Sequence, residues 1–175
     1  MLLRLLATLL LMIPVVPLAA ETTWQRNASW LEEQIEECAE GTKPGTCRYF
    51  PARALDRLFS IPDLCSQASC IGPSQLAAAI TKGSSWSILG QATEQTVLTQ
   101  AQQMAVGGIP VVAVNEASGW VVLVMPGKLY PSERWRRNVP TAVGTRLDQP
   151  DASVYGRGLN FLFSDPSKVT LYAHK

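Results

Sequence analysis

The spacing of hydrophobic residues changes near residues 107–108, and this change constrains the fold more than any other feature of the sequence. Before these two glycines, apolar residues recur every three or four positions, which is the spacing of one helix face. After them come two runs rich in β-branched residues, 109–114 and 120–125, which read as strands. Helices followed by strands predict an α+β fold, with N-terminal helices packed on a C-terminal antiparallel sheet.

Four segments before the change have helical spacing. The first begins at Ser29, where Glu32 would complete a capping box, and stops at Gly41. A turn over residues 41–46 follows. The second regular helix is expected to begin at Pro51, because proline fits best at the first helical position, and Pro62 ends it. The sequence also predicts helices over 73–83 and 92–108.

The two apolar runs are separated by five residues, 115–119, so they are expected to form a β-hairpin. Residues 128–158 form a polar stretch with several prolines and glycines, within which we expect one strand near 141–145. The segments 159–164 and 168–174 close the chain, and the second of these is expected to be a strand.

Residues 1–20 have the layout of a secretory signal peptide, with Arg4 before an apolar run and small residues at its end. Pro14 and Pro17 interrupt the run, which disfavours the alternative of an uncleaved membrane anchor. We therefore expect a periplasmic or secreted protein without a stable membrane span after signal cleavage. The expected division is a signal peptide over 1–20, an N-terminal helix and turn over 21–46, and one domain over 47–175.

The charge balance argues against nucleic acid as a partner. The whole chain has a formal net charge of +1, and the leader holds one basic residue and no acidic one, so the remainder is balanced.

Four cysteines, Cys38, Cys47, Cys65 and Cys70, follow the leader. An even number of cysteines in an oxidising compartment favours disulfide bonds, and four cysteines allow three pairings. The local pairing, Cys38–Cys47 with Cys65–Cys70, has turn-rich spacers and is the expected one. A metal site is the weaker reading, because the spacings are irregular and the only histidine, His174, lies beside the C-terminus. We expect neither a metal nor another cofactor.

A candidate nucleophile is Cys47, because a thiol just before a helix has a lowered pKa and forms thiolate more readily. The order "CRYFPARALDRLF", "AQQMAVGGIPVVAV", "GWVVLVMPG" and "LNFLFSDPSKVTLYAH" resembles the NlpC/P60-type (papain-like) bacterial peptidoglycan amidases and endopeptidases. The similarity runs over residues 47–174. It implies a papain-like arrangement of helices on an antiparallel sheet.

The resemblance also implies roles for single residues. Cys47 matches the nucleophile, and Trp120 occupies the position of the histidine that acts as the base. A polar residue on the next strand orients that histidine in the family. Asn138 and Thr141 are the nearest candidates here, and with Trp120 they form the expected binding residues. Trp120 cannot act as a base, because its indole N–H only donates.

Three functions follow from this reading. The favoured one is a secreted amidase-like protein that is catalytically impaired and binds wall fragments or a periplasmic protein. The first alternative is an active cysteine hydrolase that uses Cys47 with an unidentified base, for which His174 is a remote candidate. The second alternative is a periplasmic structural or inhibitor-like domain. A Cys38–Cys47 disulfide would favour the catalytically impaired, binding function, because it would consume the Cys47 thiol.

Overall fold

The helices of the protein precede most of its sheet in the chain. The computed structural model describes residues 18–66, 69–146 and 148–175. The helices are α1 (Leu18–Ala39), α2 (Pro44–Cys47), α3 (Phe50–Phe59), α4 (Pro73–Lys82) and α5 (Gln95–Val106). The strands are β1 (Trp86–Gln91), β2 (Val111–Asn115), β3 (Trp120–Val124), β4 (Tyr130–Ser132), β5 (Arg137–Val139), β6 (Thr141–Gly144), β7 (Val154–Gly158) and β8 (Thr170–His174). The α+β prediction is confirmed.

Six strands form one sheet in the order β1-β8-β2-β3-β6-β7, and every neighbouring pair is antiparallel. Strands β4 and β5 form a separate two-stranded ribbon. The predicted hairpin is β2–β3, in which Val111 pairs with Val124 and Asn115 pairs with Trp120. Because Asn115 joins the ladder, the connecting loop has only residues 116–119. Gly119 has φ +69° there, a conformation that glycine adopts without strain.

Both faces of the sheet are buried. One cluster of buried side chains joins α1, α3 and α4 to the face that carries Val112, Val114 and Leu123. A second cluster joins α5 and the C-terminal segment to the face that carries Val111 and Ala113. Successive residues of a strand point to opposite faces, so a strand covered on both sides is apolar throughout. This double burial explains why the first four residues of β2, Val111 to Val114, are all apolar.

The predicted start of the first helix is wrong. Helix α1 begins at Leu18 and continues through Ser29, so Ser29 is not an N-cap. The reason is tertiary packing. Trp24 is buried and meets the Phe59 ring edge-on at 5.9 Å, which extends the apolar face of α1 before Ser29. The predicted stop is close to the observed end at Ala39, since Gly41 has φ +68° and its N–H donates to the Cys38 carbonyl. Residues 1–17 of the predicted leader lie outside the described residues.

The other predicted elements differ from the structure in smaller ways. The turn over 41–46 contains the short helix α2, and α3 begins at Phe50, one residue before Pro51. Helices α4 and α5 and strands β6 and β8 are confirmed. Strands β1, β4, β5 and β7 were not predicted from the sequence.

Candidate functional site

Cys47 is the last residue of α2 and lies shortly before α3. The positive N-terminal end of α3 is what would stabilise a Cys47 thiolate. Its sulfur is bonded to Cys38, nine residues earlier in the chain, and its side chain is buried. A sulfur in a disulfide carries no thiolate and does not attack a carbonyl. In this structure Cys47 therefore has no nucleophilic form.

The second disulfide joins Cys65 to Cys70, so all four cysteines of the chain are in disulfide bonds. The expectation of disulfide bonds is confirmed. Cys65 and Cys70 also face each other as an isolated antiparallel bridge, in the loop between α3 and α4. This second disulfide closes a surface loop and takes no part in the contacts of Cys47 described next.

Trp120 is the first residue of β3, and its indole is held from three sides. The indole N–H donates a hydrogen bond to the Thr145 carbonyl at 2.9 Å. The Arg146 guanidinium lies over the indole ring at 5.1 Å, and the Phe163 ring meets it edge-on at 6.0 Å. The same Arg146 pairs with both carboxylate oxygens of Asp148, at 3.2 and 2.8 Å. Trp120 thus uses its only polar atom as a donor, and its ring is packed against an aromatic and a cation.

Thr145 connects Trp120 to Cys47. It follows directly after β6, and its side chain is 3% exposed. Its hydroxyl donates to the Cys47 carbonyl at 3.2 Å, while its own carbonyl accepts the Trp120 N–H. We call the three residues Cys47, Thr145 and Trp120 the Cys47 corner. The structure brings the two principal sequence candidates into one region, with one residue between them.

The sequence analysis missed Thr145, although the strand containing it was expected. The missing information was the register of β3 against β6. Leu123 pairs with Val143 and Val124 with Ala142, so the first residue of β3 lies beside the end of β6. An antiparallel register thus brings Thr145, rather than the start of β6, to Trp120.

A small cavity borders Trp120 and Thr145. This cavity of about 10 Å³ lies between the N-terminal parts of α3 and α4 and the start of β3. It is lined by Arg48, Pro51, Pro73, Leu76, Trp120, Val121 and Thr145. Cys47 does not line this cavity, and its side chain is 4% exposed, so the sulfur is not open to an incoming amide bond.

Asn138 and Thr141 lie away from Trp120. The Met125 N–H donates to the Thr141 carbonyl, so Thr141 lies at the far end of β3, five residues or about 17 Å from Trp120. The Thr141 hydroxyl donates to the Lys128 carbonyl at 2.7 Å. The backbone of Asn138 is held by the Gln95 side chain, at 2.9 and 3.0 Å. Both residues have partners in the fold, and neither contacts the Cys47 corner.

His174 also lies at the other end of the sheet. Its backbone N–H donates to the Pro110 carbonyl, whereas Trp120 pairs with Asn115 at the opposite end of β2. The imidazole meets the Trp86 ring edge-on at 5.0 Å. A proton acceptor must come within hydrogen-bond distance of its donor or connect through one water. His174 is therefore not positioned to act on Cys47.

Within residues 18–66, 69–146 and 148–175, no group of three or more His, Cys, Asp or Glu side chains could hold a metal ion. No helix in the described part of the chain is both long enough and apolar enough to cross a membrane.

No protein-family model matches the chain, and no curated protein has a significantly similar sequence.

Proposed function

We propose that this chain is an extracytoplasmic, non-catalytic relative of the NlpC/P60-type peptidoglycan amidases and endopeptidases. We propose that it acts by binding wall fragments or a periplasmic protein. The observation that carries the proposal is the state of the Cys47 corner. Cys47, at the nucleophile position, is bonded to Cys38, and Trp120, at the base position, donates its N–H to Thr145.

Several features of the fold support the papain-like arrangement. The helix after Cys47, α3, packs against the sheet face that carries Val121 and Leu123. The residue at the base position begins the neighbouring strand β3 and reaches Cys47 through Thr145. The family has a polar residue on the strand beside the base, and Thr145 fits this position better than Asn138 or Thr141. The support is a matter of arrangement, and arrangement alone does not establish activity.

Hydrolysis by this family needs a thiolate, a proton acceptor beside it and space for the substrate. The disulfide removes the thiolate, the indole of Trp120 cannot accept a proton, and the Cys47 side chain is buried. Loss of one member of a catalytic unit typically lowers the rate by several orders of magnitude. The three conditions therefore favour binding over hydrolysis.

The proposed location outside the cytoplasm has its own support. Disulfide bonds persist in oxidising compartments and are rare in the cytosol, and this chain has two. The leader-like sequence of residues 1–20 agrees with export.

The first experiment tests for hydrolysis. Residues 21–175 are purified in oxidised and reduced forms and incubated with isolated peptidoglycan, and released muropeptides are separated by chromatography. We expect no release from either form. A Cys65→Ser/Cys70→Ser variant is the matched control, because in it reduction opens only the Cys38–Cys47 bond. Muropeptide release by the reduced chain would overturn the proposal and favour an active hydrolase with another base.

The second experiment tests binding. The oxidised chain is sedimented with intact peptidoglycan sacculi, and the bound fraction is compared with that of the Cys65→Ser/Cys70→Ser variant. Co-sedimentation would assign the ligand to the wall. No co-sedimentation would contradict wall binding and would leave the periplasmic protein partner, or the structural or inhibitor-like domain, as the readings to test.

A further inference from the structure

A groove of about 320 Å³ lies beside the Cys47 corner, between α4 and the loop that joins β2 to β3. One wall is a single face of α4, formed by Ser74, Ala77, Ala78, Thr81 and Lys82, which recur at helical spacing. The other wall is the loop itself, residues 116–119. The volume is at the lower end of the range for small-molecule sites, which starts at roughly 300 Å³.

Two opposite charges line this groove without pairing with each other. Lys82 is in the last turn of α4, and Glu116 begins the loop on the other wall. Among residues 18–66, 69–146 and 148–175, neither side chain forms an ion pair, and Lys82 makes no hydrogen bond. Glu116 accepts one hydrogen bond, from the Tyr172 hydroxyl at 3.0 Å. The fold therefore leaves an ammonium group and most of a carboxylate available to a ligand.

The length and lining of the groove restrict that ligand. Eight residues separate Ser74 from Lys82, which is about 12 Å along a helix and matches three residues of an extended peptide. Gly119 packs against Ser74, where an added Cβ would lie 3.1–3.3 Å from Ser74 atoms, so this end of the groove is narrow and accepts only small side chains. The hydroxyls of Ser74 and Thr81 make no hydrogen bond within the described part of the chain, and they can serve a peptide backbone.

The geometry points to a binding site for a short zwitterionic peptide in this groove. The peptide carboxylate pairs with Lys82, its ammonium group pairs with Glu116, and its side chains are small. Charge-assisted hydrogen bonds at the two ends would select a peptide with both termini free. This inference uses no residue of the Cys47 corner, so it stands whether or not the chain is related to peptidoglycan hydrolases.

The test uses trialanine as the probe, in three forms: with both ends free, N-acetylated, and C-amidated. Each form is titrated into the ¹⁵N-labelled mature chain, and the backbone amide signals of Thr81, Ser118 and Gly119 are followed by NMR. We expect the free peptide to shift these signals and each blocked form to bind about tenfold more weakly, because one charge-assisted contact is lost. No shift at about 10 mM free peptide would overturn the inference, and so would equal affinity for all three forms.

Two variants assign the ends. Lys82→Gln is expected to remove the preference for a free carboxylate while keeping the preference for a free ammonium group. Glu116→Gln is expected to do the reverse. Lys128→Gln is the matched control, because Lys128 is an exposed lysine that lies outside the groove, beside the Tyr130 ring. If Lys128→Gln weakens binding as much as Lys82→Gln, the contact is a general attraction of charges, and the assigned site is wrong.

Discussion

The Cys47 corner and the groove along α4, which meet at Gly119 and Trp120, use their polar groups in opposite ways. In the Cys47 corner, the indole N–H, the Thr145 hydroxyl and the Cys47 sulfur all have partners within the fold, and the cavity lined by Trp120 and Thr145 has only about 10 Å³. In the groove along α4, Lys82 has no partner among the described residues, and the open volume is about 320 Å³. Groups that are bonded to each other stabilise a fold, whereas groups left open are available to a ligand.

This contrast separates stability from recognition. Substitutions in the Cys47 corner are expected to lower the free energy of unfolding, because they leave buried groups without partners. Substitutions of the groove charges are expected to change binding and to leave stability nearly unchanged. The predictions below test this separation, beginning with the largest expected effect.

Replacing Trp120 by alanine is expected to lower the free energy of unfolding by about 2–3 kcal/mol, measured by urea denaturation. The change removes the ring contacts with Phe163 and Arg146 and the hydrogen bond to the Thr145 carbonyl. Lys82→Ala is the comparison from the groove and is expected to change stability by less than about 0.5 kcal/mol. Similar losses in the two variants would show that the corner is no better packed than the groove.

Removing the Cys38–Cys47 disulfide with a Cys38→Ala/Cys47→Ala variant is expected to cost about 2.5 kcal/mol. The estimate comes from the entropy of the unfolded chain, which a disulfide restricts more when it closes a longer loop. The bond spans nine residues, whereas Cys65–Cys70 spans five and is expected to contribute about 2 kcal/mol. Urea denaturation of both double variants checks the order. A larger loss for Cys65→Ala/Cys70→Ala would mean that loop length does not control the difference.

Thr145→Val is expected to lower stability by about 1–2 kcal/mol, because the Cys47 carbonyl loses its hydroxyl donor inside the protein. Thr145→Ser is the matched control, since it keeps the hydroxyl and loses only a methyl group. The two variants are compared in the same urea denaturation experiment. An equal loss in both would attribute the role of Thr145 to packing rather than to its hydrogen bond.

The parts of the fold that the sequence predicted are those with strong local patterns. Helices α4 and α5 have continuous helical spacing, and the β2–β3 hairpin has dense β-branched residues. Strands β1, β4, β5 and β7 lack such patterns. Strand β1 contains Gly90, and its register against β8 shifts between Ile88 and Gly90, so alternation does not persist along it. Helix α1 was placed too late because its early part depends on Trp24 packing against Phe59, a contact between distant parts of the chain.

The candidate site was predictable to a similar degree. The place of Cys47 before a helix and the order of the motifs selected Cys47 and Trp120, and in the structure both residues are hydrogen-bonded to Thr145. The position of Thr145 depends on the register of β3 against β6. A single sequence does not define that register, because no short turn of fixed length links these two strands. The groove charges were not selected either. Lys82 and Glu116 line the same groove only because α4 packs beside the β2–β3 loop.

The smallest predicted effect concerns ionisation at the edge of the groove. Tyr172 is buried and donates its hydroxyl proton to Glu116; burial, this hydrogen bond and the Glu116 charge raise the pKa of Tyr172 to about 12. A raised pKa means that the folded protein holds this proton more tightly than the unfolded chain. The corresponding stability is complete below about pH 10, the usual value for tyrosine, and is lost as the pH rises through about 12.

Glu116→Gln is expected to lower the pKa of Tyr172 towards its usual value, because the amide keeps an acceptor but removes the negative charge. The measurement is tyrosinate absorbance against pH, with Tyr172→Phe subtracted to isolate this residue, since burial also raises the pKa of Tyr155. Equal titration midpoints for Tyr172 in the unmodified chain and in Glu116→Gln would mean that the Glu116 charge does not affect the ionisation of Tyr172.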